Sequence, residues 1–416
     1  MYPHGSSAID RPPVTHQEYC GGVTLICQPM VSASASVDIW IGAGSAIETE
    51  EEQGSAHFLE HMIFRGTEFD YLIESQGGVS NAATSLDYTH FSFTVPAAGL
   101  ATTLPYLAHM LSQPRFDPED FEQEKLVVLE EINYCYDDPE WVCHQLLQQT
   151  AYNAHNYGRS VLGAYPVVAK LTLADLQKFH RRHYTPANMT IACTGAIDIA
   201  LVRSLVAENF LQLPYHPPLQ AGIIFPKANR CVKYLPQLHH ARLLMGWLGT
   251  SAERWEDGLG LDLIATLLWG GRSSRLVHEL REDYQWVHDL DGGFALQKYP
   301  GLFTISATLE PEYVERTESH ILRTLSHMAR GKISPQELAK AKRSLCNSFI
   351  FAMECPARLA SFLGYHTMLG CHDLCNHWTT VYNEVVMSME IADLQYLAQR
   401  YLSPDRLTVI TCLPHP

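Results

Sequence analysis

The chain has 416 residues, 46% of them apolar, and a net charge of −16. That length predicts two or three domains with ample cores, and that charge argues against nucleic acid or anionic membranes as partners. The 11 Cys are odd in number and scattered, several of them (Cys27, Cys193, Cys412) inside apolar runs, which reads as reduced thiols rather than a disulfide framework. The N-terminal stretch has neither a signal-peptide core nor an Arg-rich transit pattern, and no apolar run is long enough to span a membrane. A soluble cytoplasmic protein is therefore expected.

In chain order, residues 23–28 and 37–41 read as strands from their β-branched alternation. The acidic run from Glu48 to Glu52 reads as a solvated loop. Gly54-Ser55-Ala56 leads into a helix ending near Arg65-Gly66-Thr67, and Gln76-Gly77-Gly78 marks a turn. In residues 88–95, Phe91, Phe93 and Val95 alternate with His90, Ser92 and Thr94, the mark of a half-buried strand. Residues 100–111 are helical. The next helix starts at an Asp117 cap followed by Pro118, Glu119 and Asp120 and runs through Ile132; its segment from Leu126 to Leu129 predicts that it is largely buried. A helix over 174–183, a strand over 189–194 and a helix over 199–213 follow, and the Pro-rich residues 214–227 form the best linker.

The second part repeats the first. Ala174-Asp175-Leu176-Gln177 recurs as Ala392-Asp393-Leu394-Gln395, an offset of 392 − 174 = 218, and Leu107-Ala108-His109-Met110 matches Leu325-Ser326-His327-Met328 at the same offset. Asp117-Pro118 corresponds to Ser334-Pro335, where Glu337 completes a capping box. Repeats of this size are domain duplications. The expected organisation is a domain over 1–213, a linker over 214–227 and a homologous domain over 228–416. Nearer the start the offset is smaller: pairing Gly42 with Gly246 sets His57, Glu60 and His61 against Leu261, Ile264 and Ala265, and Glu131 near Ser348 or Phe349.

The chemistry lies in His57-Phe58-Leu59-Glu60-His61. On a helix, His57 and His61 sit one turn apart on one face with Glu60 beside them. Two imidazoles at that spacing suit a zinc ion, and an adjacent carboxylate can take a proton from water. With 21 His in the chain, the bare pattern is expected by chance in roughly one such chain in twenty and does not decide alone. Its surroundings decide the matter: the second copy is apolar at the same places, so the polar groups do not serve packing. Glu124 and Glu131 lie seven apart, two turns along one helix face. Cys371-His372-x-x-Cys375-x-His377 has metal-capable spacing but reads as a helix surface rich in Cys and His, and His239-His240 opens a strand and reads as structural.

With these motifs the chain resembles the pitrilysin/insulysin zinc peptidases (inverzincins), and most of all their short dimeric branch around the mitochondrial processing peptidase beta subunit and its bacterial relatives. The resemblance rests on residues 56–62 with Arg65-Gly66-Thr67, on Gly77-Gly78 with Asn81-Ala82-x-Thr84-Ser85, on Glu124 and Glu131, on Gly158-Arg159-x-x-Leu162-Gly163, and on Gly270-Gly271-Arg272-Ser273-Ser274-Arg275-Leu276 with Glu279-Leu280-Arg281-Glu282. It implies an α+β (α/β sandwich) fold in two homologous domains, each an antiparallel-rich sheet covered by helices. It implies one Zn2+ per chain held by His57, His61 and Glu131, with Glu60 as general base and Glu124 assisting catalysis by orienting ligands or tuning charge. It also implies a peptide bound as an added strand at Asn81 and Ala82 in a closed chamber, and a homodimer or heterodimer in which Arg281 and His288 of the second domain help to hold substrate. The expected activity is zinc-dependent endopeptidase; the alternative is a non-catalytic or regulatory partner subunit of a heteromeric processing peptidase. The chain departs from the family at Ser55, usually apolar, in the shortened segment between Thr67 and Gly77, and at His288, seven residues after Arg281, where the family has Tyr.

Overall fold

The computed structural model describes residues 16–20, 22–210, 224 and 227–415. It contains two sheets. The first is built from β1 (His16–Cys20), β2 (Val23–Pro29), β3 (Ser34–Ile41), β4 (Val79–Thr84), β5 (Thr89–Pro96) and β6 (Met189–Gly195), in the order β1-β2-β6-β3-β5-β4. The second is built from β7 (Asn229–Tyr234), β8 (Ala241–Leu248), β9 (Val287–Phe294), β10 (Leu302–Leu309) and β11 (Leu407–Leu413), in the order β7-β11-β8-β10-β9. Each sheet has one parallel pair, β2 with β6 and β7 with β11, and is otherwise antiparallel. This is the α+β fold that the resemblance implies.

One face of the first sheet carries Val37, Ile39, Phe91, Phe93, Ile191 and Cys193 into a core closed by the helices Ser55–Phe64, Leu100–Ser112 and Ile199–Phe210. The second sheet buries Leu243, Met245, Trp247, Phe303 and Ile305 beneath the helix Trp255–Trp269 and its neighbours. The outer faces are covered by exchange. The helix Pro356–Met368, from the later part of the chain, lays Leu359, Ala360 and Leu363 on Ile26 and Ala192 of the first sheet. The approach is so close that a Cβ on Gly364 would stand 2.3 Å from Trp40 Nε1. Reciprocally, Cys143 and Leu147 of the helix Pro139–Tyr152 pack on Leu244, Ile410 and Cys412 of the second sheet.

Several expectations are corrected. The acidic run is not wholly solvated, because Glu48 is buried and tied to backbone amides. The helix Pro118–Asp137 does start at the Asp117 cap, whose carboxylate accepts from Glu119 N at 2.9 Å and Asp120 N at 3.1 Å, but it is not largely buried. Leu126 and Val127 are exposed, and its buried stripe is Phe121, Glu124, Val128 and Ile132. A four-residue apolar run covers more than one helix face, so only part of it can meet a core. Strand register also revises the repeat: Ile41 pairs with Met189 and Trp247 with Leu407, so the early offset is 247 − 41 = 206 rather than 204, and the counterparts of His57, Glu60 and His61 are Leu263, Thr266 and Leu267 rather than Leu261, Ile264 and Ala265, apolar at both His positions but not at the Glu60 position. All but Ile224 and Lys227 of the expected linker, and the last three residues of the helix expected over 199–213, lie outside the described residues. All 11 cysteines are free thiols. No helix among the described residues is long and apolar enough to cross a membrane.

Candidate metal centre

The helix Ser55–Phe64 is gripped from two sides. Ala56, Leu59 and Ile63 enter the sheet core, while Phe58 and Met62 join a smaller core with Phe121, Val128 and Ile132 of the helix Pro118–Asp137. The rings of Phe58 and Phe121 stack at 5.0 Å. With those faces fixed, His57 and His61 turn toward Glu131 on the neighbouring helix. Gly54, just ahead of the first turn, has φ +89°, and a Cβ there would come within 2.7 Å of Leu162 O. Gly163, at φ +81°, packs directly on it, so both positions require glycine.

Three donor atoms converge. His57 Nε2 and His61 Nε2 are 3.3 Å apart, and Glu131 Oε2 lies 3.6 Å from the first and 3.4 Å from the second. Tetrahedral zinc with bonds of about 2.0–2.1 Å separates its ligand atoms by about 3.3 Å. The chain thus places two nitrogens and an oxygen at the spacing that the ion requires. His61 Nδ1–H donates to Glu124 Oε1 at 2.9 Å, because a carboxylate can only accept. With Nδ1–H held in this way, the neutral form of the ring turns its Nε2 lone pair to the centre, the arrangement that would support a metal-bound imidazole. Glu124 is buried and is itself held by Arg65 Nη1 at 3.2 Å from Oε2. His57 Nδ1 has no hydrogen-bond partner among the described residues. Burial, followed by the neighbouring His61 charge, pushes His57 down to about 4. For His61, burial is outweighed by the hydrogen bonds to Glu131 and Glu124, which lift it to about 9. Glu131 is lowered, foremost by its bond to His61.

Glu60 stands beside this set. Burial raises its carboxyl above the usual carboxylate range, opposed by a bond from Thr84 Oγ1–H to Oε2 at 2.6 Å. A base drawn upward toward neutrality is better matched to proton transfer. Thr84 ends β4, which lies at the open edge of its sheet. Asn81 and Ala82 are on that strand, paired with Ser92 and Phe91 of β5 on the inner side only.

Sequence reasoning missed four contributors. Glu48 accepts from Gly54 N and Ala56 N, both at 2.8 Å, and so caps the motif helix from six residues upstream of Gly54. Burial pushes it up to about 8 even against those two bonds. No capping-box spacing announces it. Arg159 donates to the Glu48 carbonyl at 3.0 Å and pairs with Glu50, which explains part of the Gly158–Gly163 segment. Asp38 and His90 bond at 3.0 Å, with His90 stacked on Trp40 at 4.0 Å. Their side chains share the polar positions of an alternating pair of strands, and only the sheet register joins them.

The remaining candidates lie elsewhere. Arg281 sits in a π-helical turn, Val277–Asp283, and donates to Glu282 Oε1 from Nε and Nη2 at 3.2 and 3.1 Å. His288 lies on β9 and contacts Glu310. Cys371 and Cys375 are buried, and each thiol donates to a backbone carbonyl, of Ala252 and Leu363.

The family model described as "Insulinase (Peptidase family M16)" matches residues 24–165, and "Peptidase M16 inactive domain" matches residues 170–345. An uncharacterized zinc protease of Streptomyces coelicolor is 30% identical over 366 residues, covering 83% of this chain and 78% of the relative. The chain belongs to the M16 peptidase family. A second M16 relative, a probable mitochondrial-processing peptidase subunit beta of Arabidopsis thaliana, is 27% identical over 368 residues, covering 82% of this chain and 68% of that one. The solved structure of a protease from Helicobacter pylori superposes with a TM-score of 0.89 at 24% identity, covering 97% of this chain and 100% of that one. The M16 relatives named zinc proteases imply Zn2+, and His57, His61 and Glu131 are a donor set that fits it.

Proposed function

We propose that this M16 chain is a zinc-dependent endopeptidase cutting peptides or unfolded protein segments. The observation that carries the reading is the convergence of His57, His61 and Glu131 at 3.3–3.6 Å with the raised carboxyl of Glu60 beside them. When bound, zinc supplies a Lewis acid and a water of lowered pKa. Glu60 takes a proton from the attacking water and returns it to the leaving amine. Glu124 holds His61 in one tautomer and is itself held by Arg65. The open edge of β4 accepts an extended peptide by main-chain pairing, with Asn81 and Ala82 beside it, and Thr84 ties the end of that strand to Glu60. The Arabidopsis relative is named as a subunit, which supports a second chain closing a chamber over the site. Arg281 and His288 are each engaged by a carboxylate of their own chain, so the reading does not rest on them.

The full set of ligands and base favours catalysis over a non-catalytic partner role. The test is cleavage of a quenched fluorescent peptide library by the purified chain as isolated, after chelation, and after zinc is restored. Loss on chelation and recovery with zinc are expected. Equal cleavage without metal, or none by a chain shown to carry zinc, would overturn the reading.

A further inference from the structure

The second domain lacks the M16 ligands, yet it assembles another donor set. His240 immediately precedes β8, Glu310 immediately follows β10, and His288 is the second residue of β9. β8, β10 and β9 are neighbours in the sheet, with Ala241 opposite Leu309 and Leu309 opposite Val287. The three side chains therefore line the same end of three adjacent strands. The register between β9 and β10 slips here: Thr308 pairs with Asp289 and Leu309 with Val287, so His288 has no partner on β10. A bulge of this kind re-aims a side chain away from the ordinary alternation. Here it brings His288 beside the other two.

His240 Nδ1 and His288 Nε2 each stand 3.0 Å from the same oxygen, Glu310 Oε1. The two rings are 4.5 Å apart between centroids, and one donor atom from each of the three residues lies within 4.8 Å of the others. We infer that His240, His288 and Glu310 form a second binding site for a divalent transition metal, with zinc as its ligand. Two imidazoles and one carboxylate are the donor class that such ions prefer over calcium or magnesium. The side chains are half-exposed, so an ion can enter directly from solvent and complete its coordination with water. A bound ion would pin the ends of β8, β10 and β9 together. The competing arrangement is hydrogen bonding alone, with both rings donating to one carboxylate oxygen. The site is independent of the peptidase reading, since it shares no residue with the His57 helix or Glu131.

Metal stoichiometry separates the two. The full chain is equilibrated by dialysis at micromolar free zinc, and bound metal is measured against protein. Two zinc ions per wild-type chain are expected. His240→Ala and Glu310→Gln should each hold one and keep the wild-type rate of peptide cleavage, Glu131→Gln should hold one, and His240→Ala combined with Glu131→Gln should hold none. Glu310→Gln preserves shape and hydrogen bonding, so it guards against a folding effect in His240→Ala. Cobalt bound to the Glu131→Gln chain should show visible absorption bands that vanish when His240→Ala is added. A wild-type chain that saturates at one zinc, or a second equivalent that survives both His240→Ala and Glu310→Gln, would overturn the inference.

Discussion

The two halves of the chain differ in what one helix carries, not in how the sheets are built. The order β2-β6-β3-β5-β4 in the first repeats as β7-β11-β8-β10-β9 in the second, down to the single parallel pair. Each half lends one helix to the other half's sheet. The helix after the third strand of that shared order is where they part. In the first half it presents His57, Glu60 and His61. In the second half, Trp255–Trp269 buries Leu259, Leu261, Leu263, Ile264, Leu267 and Leu268. An apolar helix satisfies this fold, so packing does not require the polar groups of the first half, and they carry a desolvation cost that the second avoids. Substitutions that make the first helix more like the second should separate chemistry from architecture.

The largest effect should come from Glu60→Gln. Peptide cleavage should fall by about 10²–10⁴-fold or more, with zinc content and melting temperature unchanged. Near-normal turnover at full zinc would remove Glu60 from the base role. Next is Glu131→Gln, which should lose the metal of the first half because one of three convergent donors has gone. Glu124→Gln should keep most of it while weakening affinity by about 10–100-fold, as expected for a group that orients His61. Zinc affinity measured by competition with a chelator checks both, and equal retention in the two variants would mean that Glu131 is not a ligand.

Much of this comparison was legible in the sequence. The 218-residue offset located the matching helices and the last strand of each sheet, and the apolar residues facing His57 and His61 in the repeat marked the asymmetry. What the sequence hid depended on register and on long-range contacts. Two residues of early offset were invisible until Ile41 and Trp247 were paired with their strands. Glu48 looked like one acid among several, because its role as a cap comes from a turn that folds it back onto Gly54 and Ala56. The burial of the Glu131 helix was overstated because Leu126 and Val127 fall outside its one packed stripe. His288 read as a replacement for Tyr, and only the bulge in β9 shows it beside His240 and Glu310.

The helix of the second half is not wholly apolar, and one of its polar residues gives a pH test. Asp262 lies on the helix Trp255–Trp269, and burial, the sole cause, pushes its carboxyl up to about 7. In the unfolded chain the group ionises near the usual 3.8. Between those values the folded form holds a proton that the unfolded form has released, so raising the pH through this window favours unfolding. Asp262→Asn should therefore raise the melting temperature at pH 8 and leave it nearly unchanged at pH 4. Because the side chain is partly exposed, the gain should be on the order of 1–2 kcal/mol. The same shift at both pH values would show that the Asp262 carboxyl ionises in the folded chain near its unfolded value.

The smallest effect expected is at Ser55, where the motif helix begins. Its side chain is fully buried, and its hydroxyl has no hydrogen-bond partner among the described residues. An unsatisfied buried hydroxyl is unfavourable, and alanine also propagates a helix better than serine. Ser55→Ala should thus stabilise the chain by about 1 kcal/mol, moving the first turn toward the apolar pattern of the second half. His57 is held by Ala56, Phe58 and Leu59 packing on either side of it, and Glu48 holds the backbone of Gly54 and Ala56, so the ligands should not shift. Zinc affinity and the cleavage rate should then match the wild type. A loss of stability in Ser55→Ala would show that the hydroxyl is satisfied after all, by water or by a partner reached in solution. A loss of zinc affinity without loss of stability would show instead that this residue helps set the angle at which the helix presents His57.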